Sequence, residues 1–457
     1  MKIVILGAGQ VGSTVAETLV SEANDITVVD LDGDRLRRLQ DRFDLRTVTG
    51  SAAQPSVLEQ AGIEDADLVI AVTQSDETNL VACRLAAVLF NVPTRVARIR
   101  SPDFLADEKV LGPDGFAVDF TIVPEQVITD YIVRLVEFPE ALQVLEFADG
   151  QVSLVAVRAF EGGPLVGKPI AELRKHMPKV DARVAAIFRG DRPIAPEGDT
   201  IIEAGDEVFT LAATKNIREV MRELRRMDKP VRRVMIAGGG NIGLRLARAL
   251  EREYVVKLID RNKKRCEMLS TRLERALVLQ GDATDESLLE SENVDEMDLF
   301  VAVTNDDENN IMSSLLAKRM GARRVVALIN RRAYADLLEA GRIDVAISPA
   351  QVTIGSLLQH IRRGDVARVH SLRRGAAEAL EAIVHGDRES CKVAGRRIEE
   401  IELPKGATIG AIVRGKEVLM AHHDTVVQPD DHVIVFVANK KMLPKVEKLF
   451  QVAARFI

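Results

Sequence analysis

Three glycines, Gly7, Gly9 and Gly12, are followed by an acidic residue, Asp30, 18 positions after the last of them. They stand between an apolar run, Lys2 to Leu6, and a segment in which Val15 and Leu19 begin a helical pattern. On such a strand–turn–helix the missing side chains let a pyrophosphate approach the backbone, and the helix N-terminal N–H groups favour its charge. Ala8, Gln10 and Val11 complete the turn and share in the candidate contact. A carboxylate roughly 20 residues on, at the end of the neighbouring strand, reaches ribose hydroxyls. A single GxGxxG is a weak signal, so the rest of the chain has to decide.

The constellation occurs twice. "KIVILGAGQVG" returns as "RVMIAGGGNIG", which places Gly238, Gly240 and Gly243 231 residues after Gly7, Gly9 and Gly12. Gly239, Asn241 and Ile242 fill the second turn. "ITVVD", ending at Asp30, returns as "VKLID", ending at Asp260, 17 residues after Gly243. "ADLVIAVTQSDETN" returns as "MDLFVAVTNDDENN", setting Thr73 over Thr304, Gln74 over Asn305 and Asn79 over Asn310. "DFTIVPEQV" returns as "DVAISPAQV", with Pro124 over Pro349.

Positioning these residues requires a particular scaffold. Each copy alternates strands with amphipathic helices, six strands in about 120 residues, which calls for a parallel sheet with helices on both faces. The expected fold is therefore α/β, with two Rossmann-like doubly wound parallel-sheet domains. A fainter match follows each copy: "LVGKPIAEL" resembles "VAGRRIEEI", and Arg189-Gly190 stands over Arg414-Gly415. Short β-branched runs with Gly and Asp turns make each of these a small α+β module. The expected domains are residues 1–123, 140–227, 231–350 and 367–453, with a charged helical tether, "NIREVMRELRRMDKP", ending at Pro230.

Composition narrows the partners. A length of 457 residues and a charge of −7 suit several soluble domains and argue against nucleic acid, which needs a concentrated basic surface. Cys83, Cys266 and Cys391 are far apart and lack metal-ligand spacing, which fits a reducing cytosol. His422-His423 is the one adjacent histidine pair, and a solvated loop explains it more simply than a metal. The chain opens directly on a strand, which predicts no signal peptide. No apolar run reaches the roughly 18–20 residues that span a bilayer.

Two further pairs flank the crevice. Thr73 and Thr304 close the fourth strands, where they either cap the next helix or line the nucleotide crevice. Arg98 and Arg100, at the end of the fifth strand, either reach a phosphate or are solvated. The copies differ here: aligning Phe104 with Tyr334 puts Leu328 under Arg98 and Asn330 under Arg100, with Arg331 or Arg332 as substitutes. Gly239, an extra glycine, is expected to loosen the steric limits on the second phosphate loop. Asp30 or Asp260 can hold the ribose diol of either NAD or ATP, and Asp30 predicts weaker binding of NADP, whose 2′-phosphate would meet it.

A dehydrogenase would need a proton donor and a substrate anchor, and no HxE or YxxxK constellation stands in the modules after each copy. Paired nucleotide sensors, an NAD-dependent oxidoreductase with an unrecognised substrate site, and an adaptor with decayed sites are the three readings. The order of GxGxxG, Asp30, Gly50, "VTQSDETN", "ARIRSP" and "PEQ", doubled along the whole chain, closely resembles the tandem RCK (KTN plus TrkA-C) family. The resemblance implies NAD or NADH, or ATP and ADP, in the Rossmann-like modules, and regulation rather than chemistry. It also implies a homotetrameric ring, peripheral on the cytoplasmic face of the inner membrane, beneath a Trk-type membrane potassium transport subunit.

Overall fold

Runs such as Ile3-Val4-Ile5-Leu6 are apolar at every position, so neither face of the strand can be left to water. A computed structural model satisfies them with parallel sheets layered between helices; it describes residues 1–20, 24–190, 192–194, 196–225, 230–331, 334, 343–358, 366–372, 377–438 and 440–452. The chain divides into two compact units, Met1–Ile128 with Pro349–Ile361, and Thr129–Ser348 with Arg362–Ile457.

The first unit holds strands β1 (Lys2–Leu6), β2 (Asp25–Asp30), β3 (Arg46–Thr49), β4 (Leu68–Ala71), β5 (Thr94–Arg98) and β6 (Phe120–Ile122). They form one parallel sheet in the order β3-β2-β1-β4-β5-β6. Chain order reverses between β1 and β4, so the connections diverge there and a crevice opens at the strand C-termini. Val4, Leu6, Val69 and Ala71 bury one sheet face with Leu80, Cys83 and Ala86 of helix Asp76–Val88. Helix Gly33–Gln40 buries Leu36 and Leu39 and leaves Arg37 and Arg38 exposed. Helix Pro349–Leu358 packs on helix Gln10–Val20, so a segment following the second copy completes the first.

The second unit begins with an antiparallel sheet of β7 (Ala141–Phe147), β8 (Val152–Arg158), β9 (Ala182–Arg189), β10 (Arg192–Ile194) and β11 (Glu207–Ala213), in the order β10-β9-β11-β8-β7. The second parallel sheet follows: β12 (Arg233–Ala237), β13 (Val255–Asp260), β14 (Leu277–Gln280), β15 (Leu299–Ala302), β16 (Val325–Leu328) and β17 (Val345–Ile347). Its order, β14-β13-β12-β15-β16-β17, repeats the first. Last come β18 (Val366–Leu372), β19 (Ala377–Ile383), β20 (Ala407–Arg414), β21 (Glu417–Met420) and β22 (His432–Val437), in the order β18-β19-β22-β20-β21. This is the topology of the first antiparallel sheet read from its other edge.

The antiparallel modules share an apolar core: Phe147, Leu154, Phe209 and Leu211 lie in one cluster with Leu372, Ala379, Ile434 and Phe436. The Arg189 and Arg414 repeat has a structural role. Each guanidinium pairs through two nitrogens with a buried carboxylate, Arg189 with Asp206 at 2.9 and 3.0 Å, Arg414 with Asp431 at 2.8 and 2.8 Å. The expected tether needs correction. Helix Ile217–Leu224 buries Ile217, Val220, Met221 and Leu224 in the core of the first antiparallel module, an i, i+3, i+4, i+7 face, so it belongs to that module. Residues 226–229 of that segment lie outside the described residues. Among the described residues no helix is long and apolar enough to cross a membrane.

Candidate nucleotide sites

At the first crevice Gly7 turns the chain with φ +111° and donates its N–H to the Val29 carbonyl at 2.7 Å. That conformation is strained for any residue with a Cβ. The other two glycines do different work. A Cβ on Gly12 would lie 1.8 Å from the Gly7 oxygen, so helix and turn touch only because it is absent, whereas a Cβ on Gly9 meets nothing within 4 Å. Gly9 therefore leaves open space at the start of helix Gln10–Val20, where a phosphate needs it. Gln10 is exposed, while Val11 buries its side chain and leaves backbone alone for a ligand. Asp30 closes the turn: its Oδ2 accepts the Ala8 N–H at 2.6 Å and its Oδ1 the Asp32 N–H at 2.8 Å.

The far lip is set by residues that the sequence reading aligned without giving them a role. Fully buried Asn79 accepts from Thr73 N and Oγ1 at 2.9 and 2.7 Å, and its Nδ2 donates to the Arg98 carbonyl at 2.9 Å. It fastens the end of β5 to the loop after β4. Asp76 Oδ2 accepts the N–H groups of Arg100 and Ser101, both at 2.8 Å. The signal was a polar residue, recurring at Asn310, among the apolar residues that helix Asp76–Val88 buries. Thr73 is not the helix cap; Ser75 is, accepting from Thr78 N at 3.1 Å. Gln74 is exposed beside it.

Arg98 and Arg100 stand on that lip, half-buried, with each Nε buried and without a hydrogen-bond partner. Burial, reinforced by the neighbouring Arg100 charge, lowers the Arg98 guanidinium from its ordinary value. Arg100 Nε lies 3.8 Å from Glu125 Oε1. Such under-satisfied guanidinium groups suit an anion.

The second crevice repeats the skeleton. Gly238 has φ +110° and donates to Ile259 O at 2.8 Å, and a Cβ on Gly243 would lie 1.8 Å from Gly238 O. Gly240 faces open space at the start of helix Asn241–Leu250, with Asn241 exposed and Ile242 half-buried. Asp260 accepts the N–H of Gly239 and of Asn262, both at 2.8 Å. Asn310 holds Thr304 at 2.9 and 2.6 Å and reaches the Leu328 carbonyl at 2.9 Å; Asn305 is exposed. Asp307 fixes the N–H groups of Asn330 and Arg331, both at 2.8 Å.

Two antiparallel modules, each following a Rossmann-like one, match a known domain pattern. The TrkA-N domain family matches residues 3–123 and 234–349, and the TrkA-C domain family residues 154–225 and 388–451. Proteins named Trk system potassium uptake protein TrkA, from Halomonas elongata and Vibrio alginolyticus, are 60% and 59% identical over the full length of both chains. The chain belongs to the TrkA family. A solved structure titled GsuK channel bound to NAD aligns with 98% of this chain and 78% of its own, at a TM-score of 0.60 and 20% identity, which shows a shared fold.

Within this family fold the two crevices diverge in charge. The hydrogen bonds from Asn79 and Asn310 place Leu328 where Arg98 stands and Asn330 where Arg100 stands. Leu328 is buried, and Arg331 is taken up by Glu308 Oε1 and Tyr334 OH, both at 2.7 Å. Arg332 lies outside the described residues. A Cβ on Gly239 would meet Leu269 Cδ1 at 2.4 Å, Asp260 Oδ2 at 3.1 Å and Leu258 Cδ2 at 3.2 Å. The steric limit that this glycine relieves is set by two core leucines and by the carboxylate that ties the turn. In the first copy Val28 stands in place of Leu258, leaving room for the methyl of Ala8.

Proposed function

We propose that this protein is the nucleotide-binding regulatory subunit of a Trk-type potassium uptake system. The observation that carries the reading is the full-length match to TrkA proteins, joined to two crevices whose glycine turns open at Gly9 and Gly240. In this reading Gly7 to Gly12 and Gly238 to Gly243 cradle a pyrophosphate, and Asp30 and Asp260 hold the ribose. Thr73, Gln74, Thr304 and Asn305 line the crevices, and Arg98 and Arg100 take phosphate charge in the first. The ligands are NAD or NADH, or ATP and ADP. Binding moves a ring of four chains, which docks on the cytoplasmic face of the membrane against the potassium-conducting subunit. A nucleotide that prefers one ring arrangement shifts its population by its difference in affinity.

The protein binds and signals in this reading and does not catalyse. An oxidoreductase would instead turn over a substrate beside the nucleotide. The test is reconstitution in liposomes with a Trk membrane subunit, following potassium flux with and without NAD(H), ATP and ADP. Flux that changes with nucleotide only when this chain is present is the expected result. Flux indifferent to both overturns the reading, and NADH oxidation with a carbonyl substrate would favour the enzyme.

A further inference from the structure

The two crevices also differ on the side where a ribose would lie, and the difference points to different ribose chemistry. Asp30 to Arg35 reads DLDGDR, whereas Asp260 to Arg265 reads DRNKKR. The residues beside the carboxylate that ends the second strand decide what the adenosine 2′ position can carry: a carboxylate alone favours a hydroxyl, and a nearby arginine accommodates a phosphate.

In the first crevice Leu31 follows Asp30 and is 75% exposed. Asp32 caps the next helix and pairs with Arg35 Nε at 3.2 Å, so the cation on this turn is already neutralised by a second carboxylate. Among the described residues Asp30 itself has no ion pair. A 2′-phosphate would meet two carboxylates and an alkyl group.

In the second crevice Asn262 takes the place of Asp32 and caps the helix without charge, accepting from Arg265 N at 3.0 Å. The freed Arg265 Nη1 lies 3.4 Å from Asp260 Oδ2 and balances it. Arg261 replaces Leu31. Its Nη2 pairs with Asp282 Oδ1 at 2.7 Å and donates to Asn309 Oδ1 at 2.9 Å, which fix the guanidinium, and among the described residues Nε and Nη1 have no hydrogen-bond partner. Burial would raise the Asp282 carboxyl, but hydrogen bonds from Arg261 and Thr284 outweigh it and hold the group below its ordinary value. Lys263 and Lys264 are exposed on the same turn.

We infer that the second crevice accepts an adenine nucleotide phosphorylated on its adenosine ribose, as NADP and 2′,5′-ADP are, and that the first rejects it. This rests on the crevices being nucleotide sites. Arg261 is the specificity-determining residue, and Asp282 and Asn309 position it. The two halves of one chain then report on differently phosphorylated pools.

The experiment isolates each crevice in the full-length protein. Gly9→Asp and Gly240→Asp each put a carboxylate into space where a Cβ meets no atom, blocking one crevice and sparing the fold, which circular dichroism melts verify. ADP, 2′,5′-ADP, NAD and NADP are then titrated calorimetrically. With the second crevice open (Gly9→Asp), the affinity ratio of 2′,5′-ADP to ADP should exceed that of the first crevice by about tenfold or more, the worth of one charge-assisted hydrogen bond. Adding Arg261→Leu should remove the advantage, and Leu31→Arg beside Gly240→Asp should confer part of it. ADP and NAD binding at both crevices with equal 2′-phosphate ratios overturns the inference alone. A chain that binds none of the four overturns the nucleotide reading and this inference with it.

Discussion

In both Rossmann-like modules a glycine near φ +110° donates to the end of the second strand, and a second glycine touches its carbonyl. An aspartate then ties the turn to the neighbouring strand, and a buried asparagine links the loops after the fourth and fifth strands. The lips of the crevices share much less. Arg98 and Arg100 face Leu328 and Asn330 across the alignment, and Leu31 and Asp32 face Arg261 and Asn262. Residues that hold backbone to backbone have survived duplication, because losing one leaves a buried group unpaired or a collision unrelieved. Residues on the lips have diverged, and positive charge has moved from the fifth-strand side to the second-strand side. The difference separates what builds such a site from what tunes it.

The largest effect should come from breaking the shared skeleton. Gly12→Ala and Gly243→Ala each place a methyl 1.8 Å from a carbonyl oxygen, so the turn must move. Overpacking of this kind costs about 1–3 kcal/mol, occasionally more. Each variant should lose nucleotide binding at its own crevice and melt lower than the wild type. Gly9→Ala and Gly240→Ala, whose methyl groups meet nothing within 4 Å, should melt as the wild type does. Equal melting temperatures across all four variants would erase the distinction between the two glycine roles.

An intermediate effect should follow from exchanging the lips. Arg98→Leu with Arg100→Asn gives the first crevice the residues of the second. Loss of one charge-assisted hydrogen bond costs about 1.5–3 kcal/mol, so ATP affinity at this crevice should fall roughly tenfold or more while NAD falls less. Titration in the Gly240→Asp background reads the ratio. Arg98 Nε is buried without a hydrogen-bond partner among the described residues, so Arg98→Leu alone should cost the ligand-free protein little stability, whereas Arg100→Asn also removes the charge 3.8 Å from Glu125. An unchanged ATP-to-NAD ratio would mean that these arginines do not meet phosphate.

Much of this architecture was legible from spacing alone. The glycines, the acids and the apolar four- to six-residue strands follow local rules, and the duplication displayed each of them twice. What stayed hidden depends on contacts between segments distant in sequence. Asn79 was visible as a repeated letter, but its partners, Thr73 and Arg98, come from the loop after β4 and the end of β5. Helix Ile217–Leu224 read as a tether because its charges were conspicuous, and its apolar face gained meaning only against the sheet it covers. Arg189 and Arg414 carried no functional signal because their carboxylate partners lie 17 residues on, across a turn.

Gly239 offers the finest test, because its missing Cβ can serve the phosphate loop or the leucine core behind it. If the extra glycine loosened the phosphate loop, Gly239→Ala would weaken nucleotide binding. The packing predicts otherwise: the Gly239 N–H still reaches Asp260, and the methyl collides with Leu269 at 2.4 Å and meets Asp260 Oδ2 at 3.1 Å and Leu258 at 3.2 Å. Gly239→Ala should therefore cost about 1 kcal/mol of stability through overpacking, with nucleotide affinity nearly unchanged. Leu258→Val, the first copy's residue, should cost a similar amount by opening a small cavity. Together they rebuild the Ala8 and Val28 arrangement, so the double variant should be more stable than the sum of the singles by about 0.5–1 kcal/mol, within the range of contacting pairs. Urea unfolding of the four proteins measures that coupling. Strict additivity would mean the two positions do not share one space, and a loss of affinity in Gly239→Ala alone would restore the loop to first place.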